Sequence, residues 1–378
     1  MSESNDVAGR MLFRSKYIIS PRTDWIWFLG FPFVALAIAL ACHRSLPMMA
    51  LASVGLWITI PHHLSTWLRT YGLRDDWERW RWPLIVAPIL IMGTTVAGLL
   101  VAPITLLFMS LLWDHQHSLM QQHGLARIYD FKARTGGPQM GRFDLLLHWF
   151  LYGNMLVTTP MFFRLWGAEL YRWQLPVTPQ ALIWAQYLSW GALGAFLLVY
   201  TGYVAWSLRA GYGLNPLKYL FVFSSYFMWY SASWQADSLM VYGIAHRLMH
   251  GVQYMVIVNS YLGHKLERAT SQGASQPWTI WLASGFASHR ARTFIGMGVI
   301  YVLLYQLILL RPFDELGFGV ITFMQIGPQP RPGMSDVSQA GAYDVFAMTL
   351  IQAIPLTHYY FDSFIWKVSD ARVQQGLE

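Results

Sequence analysis

Residues 83–101 read PLIVAPILIMGTTVAGLLV, a run of 19 residues without a charged side chain. About 20 apolar residues in an α-helix cross the hydrocarbon core of a bilayer, because each residue adds about 1.5 Å along the axis. The same character extends over the 378-residue chain: 55% of residues are hydrophobic, 16% aromatic and only 12% charged, and the mean hydropathy is +0.35. Soluble domains carry about 25% charged residues. The composition therefore predicts an integral membrane protein and excludes an ordinary soluble domain or a disordered chain.

Nine further stretches have a similar composition, so we predict an all-α fold, a polytopic bundle of about ten transmembrane helices with eight or nine as the alternative. The predicted spans are residues 25–42, 47–69, 83–101, 104–128, 144–166, 180–207, 216–235, 238–262, 294–311 and 341–367. They form one transmembrane domain, 25–367, between an N-terminal tail, 1–24, and a C-terminal tail, 368–378. Segment 312–339 is rich in Pro and Gly and is predicted to be a loop.

The net charge of +7 comes from small basic groups between the apolar runs. That distribution is typical of topology determinants and not of a nucleic-acid-binding patch. With ten spans and an internal N-terminus, 20 Lys and Arg residues lie on the cytoplasmic side and five on the outside. This bias predicts cytoplasmic termini in a multi-pass protein of the bacterial inner membrane. The mixed-charge segment 69–81 is predicted to be a solvated cytoplasmic loop.

The intramembrane polar chemistry has to come from histidines, carboxylates and hydroxyls. The only cysteine, Cys42, excludes a disulfide framework, a CxxC redox pair and a thiolate metal cage. Ionisable residues inside spans are costly and usually mark function, and here they cluster in the later halves of the second, fourth, eighth and tenth spans. The metal-ligand candidates in these clusters are His62, His63, His115, His117, His123, His246, His250, His358 and Asp362.

Helical geometry predicts that the four clusters meet. All four spans run from outside to inside, so their histidines lie at similar depth, about 10–20 Å from the cytoplasmic helix ends. His246 and His250 are four residues apart, as are His358 and Asp362, so the two side chains of each pair project from one helix face. We therefore predict one shared metal site near the cytoplasmic face.

Imidazole and carboxylate without thiolate suit iron, zinc, manganese or copper(II). Eight histidines exceed the needs of one tetrahedral zinc, so we prefer a dinuclear non-haem iron centre; a single iron with orienting histidines is the alternative. Asp114 is predicted to orient an imidazole, and Tyr254 or Tyr359 to donate a hydrogen bond to bound oxygen. The histidines at loops or span ends, for which we predict no function, are His43, His148 and His289, and His264 stays open.

Three motifs carry a resemblance to a known group: the pair His62-His63, the run His115, His117 and His123, and His246-x-x-x-His250. They resemble those of the histidine-rich integral-membrane non-haem iron enzymes, which include fatty acid desaturases and alkyl hydroxylases. The resemblance implies a diiron site that activates O2 to attack an unactivated C–H bond. It covers the histidines and not the chain, since the HxxHH boxes of that group are absent. A second resemblance, to bacterial membrane carotenoid dioxygenases, implies histidines around a single iron.

We therefore expect an enzyme: a membrane-embedded oxidase or oxygenase that hydroxylates, desaturates or cleaves a lipid-like substrate with O2 as co-substrate. The expected partners are the lipid bilayer, a hydrophobic small molecule and a soluble cytoplasmic electron donor, and nucleic acid is not expected. Two alternatives stay open. One is a metal-ion or proton transporter that uses the intramembrane histidines, and the other is an electron-transfer protein with bis-histidine haem ligation.

Overall fold

The computed structural model describes residues 12–46, 48–236, 239–271, 291–305 and 342–377. Within these ranges the chain is helical, apart from loops and one isolated bridge between Phe13 and Leu214, which confirms the all-α class. Several predicted features lie outside the described residues: residues 1–11 of the N-terminal tail, the loop 312–339, the end of the ninth span at 306–311, and His289.

Twelve helices occur in the described part of the chain. They are α1 (Pro21–Ser45), α2 (Met48–Thr70), α3 (Arg74–Val101), α4 (Pro103–Ala133), α5 (Met140–Thr158), α6 (Pro160–Arg172), α7 (Pro179–Arg209), α8 (Pro216–Gln235), α9 (Leu239–Ser271), α10 (Ala291–Tyr305), α11 (Ala342–Ile365) and α12 (Ala371–Leu377). Each predicted span overlaps one or two of these helices. By length and composition, three of them are able to cross a membrane: α1, α3 and α7. The count of ten spans and their orientation stay predictions.

Two local expectations were wrong. The predicted span 144–166 is two helices, because Thr159 adopts an extended conformation before Pro160. A residue before proline is disfavoured in the helical region, and proline itself begins a helix readily. The predicted loop 69–81 is mostly helical, since α2 continues to Thr70 and α3 begins at Arg74. Acidic residues in the first turn of α3 suit the positive end of its dipole.

The described chain divides into two compact units. Unit 1 comprises Met1–Ser45 and Leu119–Met249, and unit 2 comprises Leu46–Ser118 and His250–Glu378. In unit 1, α5 packs against α7, and α8 packs against α1, α5 and α6. In unit 2, α11 packs against α2 and α3. The predicted single domain 25–367 thus contains two compact units, and helices α4 and α9 contribute to both.

A buried ion network lies in unit 1. The Nζ atom of Lys218 is 3.0 Å from Oδ2 of Asp130 and 3.2 Å from Oδ2 of Asp144, and all three side chains are almost fully buried. Arg127 donates to Oδ2 of Asp130 at 2.6 Å, and the Tyr200 hydroxyl donates to Oδ1 of Asp144 at 2.7 Å. Two cations balance two carboxylates, which offsets the large cost of burying each charge. The network ties α4, α5 and α8 together.

The end of the chain is anchored in unit 2. A Cβ added at Gly376 would lie 2.1 Å from the Tyr261 ring, so glycine is the residue that lets α12 pack against α9. The Nδ1 atom of His264 is 3.1 Å from the carbonyl oxygen of Gly376. This contact joins His264 to the C-terminal helix.

Candidate metal centre

Four imidazoles from four helices of unit 2 face one another. His62 lies on α2, His117 on α4, His250 on α9 and His358 on α11, and none is more than 4% exposed. Taken in the order His62, His358, His117, His250 and back to His62, adjacent ring centres are 4.8, 4.7, 4.9 and 5.3 Å apart. We call these four residues the imidazole cluster. Positions separated by up to 296 residues in the chain thus form one compact group.

The spacing of the imidazole cluster fits a single ion. An imidazole bound through nitrogen at about 2.1 Å places its ring centre about 3.2 Å from the metal, so two such rings lie about 4.5 Å apart at a right angle and about 5.2 Å apart at the tetrahedral angle. The four observed separations fall close to this range. One nitrogen each from His62, His250 and His358 already lies within 4.8 Å of the others. Nitrogens bound to one tetrahedral ion lie about 3.4 Å apart. The His117 nitrogen belongs to a second ligand group.

Two more predicted ligands adjoin the cluster. Asp362 forms a second group with His117 and His358, whose ligand atoms also lie within 4.8 Å of one another. Its Oδ2 atom is 4.0 Å from Nε2 of His117. The ring of His63 is 4.3 Å from that of His62 and 5.1 Å from that of His358. Six of the nine predicted ligands therefore lie together in unit 2.

Hydrogen bonds orient the group from one side. The Tyr254 hydroxyl donates to Oδ1 of Asp362 at 2.7 Å. The Thr66 hydroxyl is 2.6 Å from that of Tyr254, 2.7 Å from Nδ1 of His358 and 3.1 Å from Oδ1 of Asp362. The other ring nitrogen of His358, Nε2, is buried and has no hydrogen-bond partner among the described residues. That nitrogen is therefore the one placed to bind a ligand.

Arg69 packs behind this hydrogen-bonded layer. Its guanidinium is fully buried, lies 3.6 Å from the ring centre of Trp366 and 4.3 Å from that of Tyr261, and donates to the backbone carbonyl of Ile365. The Trp366 indole in turn donates to the Tyr254 hydroxyl at 3.3 Å. Cation–π contacts of this kind stabilise a buried cation and hold the aromatic rings in place. Arg69 thus supports Tyr254 through Trp366.

His246 and His123 are in different surroundings. His246 belongs to unit 1, where its Nδ1 atom accepts a hydrogen bond from the Trp229 indole at 2.9 Å. A neutral imidazole that accepts at Nδ1 carries its proton on Nε2, and that tautomer has no free lone pair for a metal. His123 also belongs to unit 1, with its ring 5.6 Å from that of His148. The predicted pair His246 and His250 is therefore divided between the two units.

The remaining candidates have identifiable positions. Tyr359 stacks on His117 with ring centres 4.6 Å apart, which orients that imidazole. His115 is buried with its Nδ1 atom 2.8 Å from the carbonyl of Leu111, and it belongs to neither of the two ligand groups formed by described residues. Asp114 is partly buried on α4, and His43 is exposed. His148, predicted to have no function, is a buried residue whose ring bonds to Tyr226.

Thr66 is the residue that sequence reasoning missed. It lies one helical turn after His62 on α2, so both side chains project from the same helix face. This four-residue spacing was visible in the sequence, but a lone threonine in an apolar helix usually bonds to its own backbone. The contact with His358, 292 residues away, is what distinguishes Thr66.

No family model, curated protein or solved structure matches the chain. The resemblance to membrane non-haem iron enzymes therefore depends on the histidine motifs alone.

Proposed function

We propose that the protein is an integral-membrane metalloenzyme, a non-haem iron oxidase or oxygenase that hydroxylates, desaturates or cleaves a lipid-like substrate with O2. The observation that carries the proposal is the imidazole cluster, in which four buried histidines from four helices have the spacing of ligands around one ion. Imidazole and carboxylate donors without thiolate are the set used by catalytic iron.

The surroundings of the cluster support metal binding. A buried imidazole nitrogen without a partner costs free energy, and Nε2 of His358 is in that position among the described residues. A metal ion would supply the missing partner. Bound iron would contribute the redox chemistry that O2 activation needs. Asp362 and Tyr254 would hold a proton at the edge of the site, and the packed helices would exclude bulk water from it.

The number of ions depends on His358. The count of histidines favours two irons, as expected from the sequence, whereas the ring spacing favours one. His358 belongs to both ligand groups. Because its Nδ1 atom is bonded to Thr66, only Nε2 can bind a metal, so His358 can serve one ion and not two. We therefore propose one iron in the imidazole cluster as the minimal centre. A second iron would require His63 and Asp362 as ligands and would double the iron content per chain.

We further propose a ten-span topology with cytoplasmic termini, in which the cluster lies toward the cytoplasm and receives electrons from a soluble donor. The excess of Lys and Arg in the predicted cytoplasmic segments and the three helices able to span a membrane support this arrangement. Single cysteines introduced into a Cys42→Ser background test it. Cysteines near residue 72 should react with an impermeant thiol reagent only after the inner face of the membrane is opened.

Metal analysis of the full chain, purified in detergent, tests the proposed centre. We expect about one iron per chain and no Soret band in wild type, and loss of that iron in the His62→Ala/His250→Ala variant. His43→Ala, a change at an exposed histidine outside the cluster, is the matched control and should keep its iron. Folded wild-type protein that holds no metal would refute the proposal, and a Soret band would favour the haem alternative.

One observation favours a second candidate, proton or metal-ion transport. The network of Lys218, Asp130 and Asp144 places titratable groups in the interior of unit 1, as proton relays require. Reconstituted protein distinguishes the two functions. A proton or Zn²⁺ flux that Asp144→Asn abolishes and His250→Ala leaves intact would support transport over oxidation.

A further inference from the structure

The Thr66 hydroxyl stands at the junction of three polar groups and has one proton to give. Its oxygen lies 2.6 Å from the Tyr254 oxygen, 2.7 Å from Nδ1 of His358 and 3.1 Å from Oδ1 of Asp362, and the side chain is fully buried. No more than one of these three contacts can be a hydrogen bond donated by Thr66. In each of the other two contacts, the partner group has to supply the hydrogen, or the contact is not a hydrogen bond.

Counting protons assigns the donor in each contact. The Tyr254 proton is used on Asp362, at 2.7 Å. The Thr66 hydroxyl donates to the same carboxylate oxygen, at 3.1 Å. Because Thr66 has no second proton, it is the acceptor toward His358, so Nδ1 of His358 carries the hydrogen of that contact.

We infer that Thr66 is a positioning residue that holds His358 in the tautomer with Nε2 free to bind a metal. A neutral imidazole with hydrogen on Nδ1 has its lone pair on Nε2, the nitrogen without a hydrogen-bond partner in the described part of the chain. Groups that bond to the second nitrogen of a metal-binding histidine fix its tautomer and its orientation. This inference rests on the proposed metal centre, and it adds a residue that acts through His358 without touching the ion.

The neighbouring hydrogen bond agrees with this assignment. The Trp366 indole donates to the Tyr254 oxygen at 3.3 Å, so that oxygen already accepts one hydrogen bond. The Tyr254 hydroxyl donates onward to Asp362, at 2.7 Å. These hydrogen-bond directions agree with a hydrogen on Nδ1 of His358.

The test removes the hydroxyl and keeps the volume of the side chain. Thr66→Val should weaken Zn²⁺ binding by metal-free, full-length protein in detergent by about 10-fold to 100-fold, the range for loss of such partners. Thr66→Ser restores a hydroxyl and should bind within a few-fold of wild type. Thr70→Val is the matched control, because Thr70 is equally buried one turn further along α2 and bonds only to a backbone carbonyl.

A double-mutant cycle separates positioning from general stability. If Thr66 acts through His358, Thr66→Val should have almost no further effect on Zn²⁺ affinity in a His358→Ala background. Full additivity, wild-type affinity of Thr66→Val, or failure of Thr66→Ser to restore binding would each overturn the inference. Should the valine variant not fold, Thr66→Ala replaces it with the same expected loss. Unchanged Zn²⁺ affinity in His250→Gln would instead overturn the metal centre itself.

Discussion

Substitutions of two histidines on α9 should affect metal binding very differently. His246 and His250 lie one helical turn apart and form a motif that predicts two ligands of one metal. In the structure, His250 belongs to the imidazole cluster of unit 2, whereas His246 accepts a hydrogen bond from Trp229 in unit 1. His250→Gln and His246→Gln make the same chemical change at both positions. We expect the first to abolish tight binding and the second to preserve it.

The expected magnitude follows from the contacts of each ring. His250→Gln removes one of four imidazoles, so the loss should reach at least the upper end of the range for outer partners, about 100-fold, or about 2.7 kcal/mol. In His246→Gln, the side-chain oxygen of glutamine can still accept from the Trp229 indole. We expect affinity within about threefold of wild type and a loss of unfolding free energy of about 1 kcal/mol from a poorer hydrogen bond.

Competition between the protein and a Zn²⁺ chelator measures both affinities, using metal-free, full-length protein in detergent. Thermal unfolding of the same samples shows whether each variant is folded. Equal losses of affinity in the two variants, with folding intact, would refute the assignment of His246 to a structural hydrogen bond. They would favour the two-ligand motif predicted from spacing.

Three further predictions concern stability. Lys218→Met leaves two buried carboxylates without their shared cation and should destabilise the fold by about 3–5 kcal/mol in chemical unfolding, while Lys218→Arg should lose less. Gly376→Ala forces a Cβ into the Tyr261 ring and should lower the free energy of unfolding by about 1–3 kcal/mol, measured as faster proteolysis of the C-terminal helix. Gly211→Ala is the control: Gly211 lies in open space at positive φ, so this variant tests whether backbone strain alone has the same effect. The hydrogen bond from Arg79 lowers the pKa of Asp370, so this contact stabilises α12 above pH of about 4 and is lost as the pH falls through the lowered pKa. Asp370→Asn should remove that dependence in the proteolysis assay, and an unchanged pH profile would contradict it.

The helices were predictable because their signals are local. An apolar run such as residues 83–101 satisfies its backbone hydrogen bonds within the helix, whatever packs around it. The errors were local too. Pro160 divides a span that composition alone joined, and the segment after Arg74 is helical although its charges are typical of a loop.

The amino-acid pattern alone was enough to predict that the protein is helical, that the polar groups within its apolar segments include histidines and carboxylates, and which helices carry them. Spacing along a helix assigns a side chain to a face, but it does not say which neighbour covers that face. Packing decided that His250 joins the imidazole cluster while His246, on the same helix, bonds to Trp229. Packing also brought Thr66 to His358 across 292 positions of sequence. Only the tertiary structure could decide these pairings, because a hydrogen bond or a ligand set depends on distances between helices that no local pattern contains.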